Sequence, residues 1–241
     1  MTNVVLLNSH THRDMSVDPN ASAALGDNQR FVPIIVNEVP LLAIQCPILL
    51  SKNADTGAFL CGAMLGFELG ENLFLREGKG HDGHRPLYLQ RGAFYTVGPD
   101  LGVDLDSPRI NPSAGGQRLF NDEGQPTAYL ESIANVMRDL TPGNERTKLF
   151  IDTLLGLKLI EPVDVKLSFD DGADLELTGL YTIDQGALRD LPDDKALDLF
   201  RRGYLQLIYL MISSLKHIPS LVQRRNQRML EGTGGLAGAL G

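Results

Sequence analysis

Val163-Asp164-Val165-Lys166-Leu167-Ser168-Phe169-Asp170-Asp171-Gly172-Ala173-Asp174-Leu175-Glu176-Leu177 is the stretch that decides the fold class. Val163, Val165, Leu167 and Phe169 alternate with polar residues, Leu175 and Leu177 repeat the pattern, and Asp170-Asp171-Gly172 between them supplies turn chemistry, so residues 163–178 read as a β-hairpin. On both sides of it the apolar period lengthens to three and four. Upstream, after Pro126-Thr127, which can cap a helix, Leu130, Ile133, Ala134, Met137 and Leu140 form one helical face that stops at Pro142-Gly143. A second helix follows over residues 144–159, ending at Glu161-Pro162. Downstream, Asp193-Asp194 precedes a last helical stretch from about Lys195, interrupted or kinked at Pro219 and ending near Leu230. A hairpin set among three or more helices, following a β-rich amino-terminal part, predicts an α+β protein.

Further out, residues 1–125 are short apolar runs separated by Pro, Gly and Asn-Asp clusters, as in a β-rich region. The runs are 4–7, 32–36, 48–51, 59–65, 73–75 and 95–97. Asn37-Glu38-Val39-Pro40 reads as the N-capped start of a short helix ending before Pro47, residues 86–93 as another, and 100–124 as extended structure plus an irregular connection. The expected organisation is a β-rich region over residues 1–125 and a helical region over residues 126–231 that carries the hairpin. The two are expected to pack as one compact unit, with the glycine-rich residues 232–241 a disordered tail. There is no internal repeat.

With 43% hydrophobic and 22% charged residues in a chain of 241, disorder and collagen-like order are excluded. The net charge of −8 opposes non-specific binding to nucleic acid or anionic membrane. Cys46 and Cys61 stand among apolar residues, outside any CxxC pair or zinc-finger spacing, and read as buried free thiols. The apolar run near the amino terminus is too short for a signal sequence, so cytoplasmic residence is expected. The most apolar stretch, residues 204–215, is closely bounded by Arg201, Arg202 and Lys216. It falls short of the roughly 20 residues of a membrane span and reads as a core helix.

A succession of short motifs carries a family resemblance. These are Leu7-Asn8-Ser9-His10-Thr11-His12-Arg13-Asp14, Asn37-Glu38, Pro47-Ile48, Leu65-Gly66, Gly70-Glu71-Asn72-Leu73-Phe74 and Leu119-Phe120-Asn121-Asp122-Glu123-Gly124-Gln125-Pro126-Thr127. In the carboxyl half come Leu159-Ile160-Glu161-Pro162, Asp171-Gly172, Gly179-Leu180-Tyr181, Leu207-Ile208-Tyr209 and Ser213-Ser214-Leu215. From Asn8 to about Arg225 the chain resembles the SapC family of bacterial proteins, named after a surface-layer-associated locus and distinct from the peptide-transport permease of the same name. The resemblance brings no catalytic residues and no cofactor. It implies an accessory protein handling a peptide or a protein partner, encoded beside TonB-dependent receptors and halogenase-like or hydroxylase-like proteins. The chain departs from the family pattern in three places. Cys46 stands where an aromatic is usual, residues 80–84 lack the usual tryptophan, and Ala93 replaces a proline between the matching Arg91 and Phe94. These changes tell against an aromatic ligand platform.

Asn8, His12, Arg13 and Glu38 are the polar set best suited to a peptide-like ligand. Asn and His offer donors and acceptors, Arg a planar fork for a carboxylate, and Glu an acceptor for an amine. Asn72 and Arg91 extend the set, and Asn8, His12, Arg13, Glu38 and Arg91 are expected to share one face or cleft. The plainer alternative is that Asn8 caps a turn and Glu38 answers a helix dipole. His10 and His12, or His81 and His84, have spacings that can serve a metal, but loop histidines are more often solvated or bonded to backbone, so no metal site is assigned. Nucleophile and phosphate-loop signatures are absent. The leading expectation is therefore a non-catalytic binding protein. The alternative is a small enzyme using His12 with a carboxylate, with or without a metal.

Overall fold

The computed structural model describes residues 3–76, 78–113 and 115–237. The strands are β1 (Val4–Leu6), β2 (Ser16–Val17), β3 (Phe31–Pro33), β4 (Ile48–Lys52), β5 (Phe59–Met64), β6 (Leu75–Arg76), β7 (Gly80–His81), β8 (Phe94–Val97), β9 (Asp100–Asp104), β10 (Gln117–Arg118), β11 (Ile160–Ser168) and β12 (Asp174–Ile183). The helices are α1 (Val39–Leu42), α2 (Leu87–Gln90), α3 (Ala128–Gly156), α4 (Gln185–Arg189), α5 (Asp193–Arg201), α6 (Tyr204–Ser214) and α7 (Ile218–Ala237). The fold is α+β, with strands concentrated in the amino-terminal half and helices in the carboxyl half.

The chain divides into two compact units, each assembled from two stretches: residues 1–28 with 74–145, and residues 29–73 with 146–241. This differs from the division at residue 125 expected from the order of elements. The physical reason is strand pairing. In the second unit the carboxyl hairpin β11–β12 adds to β4, giving an antiparallel sheet in the order β11-β12-β4-β5-β3 that joins strands from both halves of the sequence.

In the first unit β1, β9 and β8 form an antiparallel sheet, and β2–β10 and β6–β7 are separate two-stranded ribbons. Val17, Phe94, Val103, Leu119, Phe120, Leu130 and Ile133 make its core, so the first turns of α3 bury their apolar face against these strands. Thr127 caps α3, its hydroxyl accepting from the Leu130 amide at 3.4 Å.

Two helix boundaries differ from expectation. Pro142 lies inside α3 instead of ending it, so the two expected helices are one of 29 residues. A proline inside a helix costs about 3 kcal/mol. Burial of Leu130, Ile133 and Leu140 before it and of Phe150, Ile151 and Leu154 after it outweighs that cost. The expected helix from Lys195 is instead divided at Gly203, whose φ of +74° ends α5 and restarts the chain as α6. Asn37 lies within a 3-10 turn, Val36–Glu38, that leads into α1 rather than capping it. Helical backbone continues in α7 as far as Ala237, beyond the expected start of a tail at residue 232, because extending an existing helix is cheap compared with starting one. Residues 238–241 of the expected tail lie outside the described residues.

The second core forms around Ile48, Leu49 and Leu50 of β4, with Phe150, Leu154, Leu159, Ile183, Ile208, Met211 and Leu221 also buried. Leu207, Ile212 and Leu215 are only partly buried. The helical stretch from Tyr204 to Glu231 is long and apolar enough to cross a membrane by length and composition, longer than the run ending at Leu215 that the sequence suggests. A 3-10 turn, Leu215–His217, interrupts it, and Ser214 bonds it to the sheet.

Candidate functional site

The loop after β1 folds around Asn8. Its side-chain oxygen accepts from the amides of His10 (3.1 Å) and Thr11 (2.8 Å), an Asx turn that explains why Asn occupies this position. The chain then closes on itself, the His12 amide donating to the Asn8 carbonyl and the Asn8 amide to His12 Nδ1, both at 3.1 Å. His12 is 7% exposed. Because Nδ1 is an acceptor here, the atom that a carboxylate would orient in a catalytic pair is already occupied. Arg13 is exposed. Arg118 and, more weakly, Arg13 hold the exposed Asp122 carboxyl below the usual carboxylate range.

Glu38 is buried in the 3-10 turn before α1, its Oε2 accepting from the Ile35 amide at 3.2 Å. Asn72 is buried and its carbonyl accepts from Arg228 at 3.0 Å. Arg91 donates to the Phe94 carbonyl at 2.8 Å and lies over the Tyr95 ring at 4.0 Å. Of the six candidates, Asn8 and His12 are bonded to each other. Asn8, His12, Arg13 and Arg91 belong to the first unit, Glu38 and Asn72 to the second.

Among the described residues no three of His, Cys, Asp and Glu gather as a metal site. Cys46 and Cys61 are free and buried, and burial pushes both thiols up to about 12, with Glu38 adding to the effect at Cys61.

Two features are not legible in the sequence. In the first unit Asp27, 2% exposed, pairs with Arg109 Nη2 at 2.7 Å and Arg85 Nη2 at 2.9 Å. Each partner is separated from Asp27 by more than fifty residues, and Asp27 in a Gly-Asp-Asn stretch reads only as a turn.

The second is a cleft of about 530 Å³ in the second unit, between the end of β11 and helix α7. Leu167, Ile218, Pro219 and Val222 supply apolar surface, Gln223 and Asn226 carboxamides, and Lys166 and Asp170 opposite charges. Lys166, Leu167 and Ser168 all line it although consecutive side chains of a strand point to opposite faces, so the cleft runs along the strand's edge. The neighbouring turn is held by α7. Arg225 donates to Asp171 at 2.9 Å and stacks on Phe169 at 3.9 Å, and Asn226 accepts from the Asp170 amide at 3.5 Å.

No curated protein and no solved structure gives a significant match to the chain. The family model described as SapC matches residues 7–221, which takes in both units and nearly all of their strands and helices. The chain is therefore a member of the SapC family.

Proposed function

We propose that this SapC-family protein is a non-catalytic accessory protein that binds an extended peptide segment of a partner, using the edge of β11 beside α7. The observation that carries the reading is the cleft along that edge. Strand β11 is the last in its sheet, and among the described residues no backbone hydrogen bond reaches residues 165–168 from the side away from β12. An edge strand offers alternating N–H and C=O groups that an extended chain satisfies in full. Pro162 and the register shift between Val163 and Val165 blunt the first half of this edge, leaving Lys166–Leu167–Ser168 as the open stretch. The carboxamides of Gln223 and Asn226 suit a peptide main chain, since each carries both donors and an acceptor.

The test is capture from an immobilised peptide library, followed by synthesis of the best binder with and without N-methylation of its central amides. Strand addition requires at least a tenfold loss on N-methylation, loss on Val222→Arg, and amide-proton shifts confined to residues 165–168 and α7. Equal binding by the N-methylated peptide, or binding undisturbed in Val222→Arg, would overturn it.

A further inference from the structure

In the first unit, the ion-paired group around Asp27 contains two bases and one acid. Arg109 is 3% exposed, and both guanidinia converge on the one buried carboxylate. A buried cation without its own counter-charge is costly, which makes the surplus positive charge a feature to be explained.

The donors around it are unequally used. Arg109 spends Nη2 on Asp27 and Nη1 on the carbonyls of Asp18 (3.1 Å) and Asn20 (2.7 Å). Gly92, at φ +55°, fixes its stem: a Cβ there would lie 3.2 Å from Arg109 Cδ. Arg85 spends Nη2 on Asp27 and the Leu89 carbonyl and Nη1 on the Pro19 carbonyl, but its Nε is buried with no partner. His81, four residues before it, has both ring nitrogens buried without a hydrogen bond, its ring stacked on Phe74 at 5.7 Å. Tyr129 feels the charges of both arginines and, in the opposite sense, that of Asp18.

Native proteins leave few buried polar atoms unpaired, and a cluster of them implies a missing partner. Here the buried spare capacity is the Arg85 Nε–H and one imidazole N–H, with the Tyr129 phenol near two guanidinia that share one buried carboxylate. That combination calls for acceptor atoms carrying negative charge.

We propose that His81, Arg85, Arg109 and Tyr129 form a binding site for a small oxyanion, a carboxylate or a phosphate group. Entry is past His81, which sits on the two-residue strand β7 of an isolated ribbon, an element that opens at small free-energy cost.

The experiment is thermal unfolding of the full chain in sodium phosphate and in sodium acetate, each titrated against chloride at matched ionic strength. The site requires a saturable rise in melting temperature with at least one anion. Phosphate alone identifies a phosphate group as the ligand chemistry, and acetate alone a carboxylate. Tyr129→Phe should melt like the parent in chloride and bind the anion about tenfold more weakly, as expected for one lost charge-assisted hydrogen bond. His81→Phe keeps the stack on Phe74 and should do the same. No saturable shift with either anion, or an undiminished shift in Tyr129→Phe, would overturn the proposal and leave internal water as the partner of these atoms.

Discussion

The hydroxyl of Ser214 accepts the amide hydrogen of Ile48 at 2.8 Å, joining the end of α6 to the first residue of β4. The same hydroxyl donates to the Met211 carbonyl at 2.6 Å, so a fully buried side chain is satisfied on both sides. Ser214→Ala leaves the Ile48 N–H buried with no acceptor and should cost about 1–3 kcal/mol in urea unfolding. An unchanged midpoint would show that a water takes the place of the hydroxyl.

Asp27→Asn removes the one negative charge set between Arg85 and Arg109, both well shielded from water. The expected loss is about 3–5 kcal/mol, the range for stripping one partner from a buried ion pair. Calorimetry of the variant decides the matter, and a loss below about 1 kcal/mol would mean the two guanidinia are solvated instead.

Burial first, and the nearby Arg85 charge second, hold the His81 imidazole below its ordinary 6.5. The unfolded chain therefore binds the proton more readily than the folded one. Stability is fully present above about pH 6.5 and falls as the pH drops from there toward the lower folded value, while Asp27 and Asp82 partly offset the effect. Chemical denaturation between about pH 7.5 and 5 should show this slope, and His81→Phe should flatten it. An identical slope in the variant would assign it to other groups.

Both cysteines should resist modification in the native protein, since burial raises the thiols to about 12 and hides them from solvent. A thiol reagent at about pH 8 should label neither Cys46 nor Cys61 until denaturant is added. Prompt labelling of one thiol would reveal local opening around α1 or β5.

Alternation at Val163, Val165 and Leu167 is enough to locate the hairpin, and the spacing of Leu130 and Ile133 enough to locate the start of α3, because both patterns are local. Pro142 misleads for the same reason. A local helix breaker is overridden by burial at Phe150 and Leu154, which no local pattern reports. Asn8 is readable as a turn cap, and the structure closes that turn through His12. The Asp27–Arg109 pair and the cleft beside Val222 are not legible, since each depends on segments distant in sequence that meet only after the chain has folded.

The pairing of β12 with β4 also bears on synthesis. Until the ribosome has made all of α3 and the carboxyl hairpin, the β4–β5 ribbon has no neighbour along β4, although Ile48, Leu49 and Leu50 are fully buried in the finished sheet. The nascent chain thus carries an apolar strand with one open edge through much of its translation, a species prone to pair with a copy of itself. Helper proteins that shield emerging hydrophobic strands should matter more for the yield of this protein than for its stability once complete.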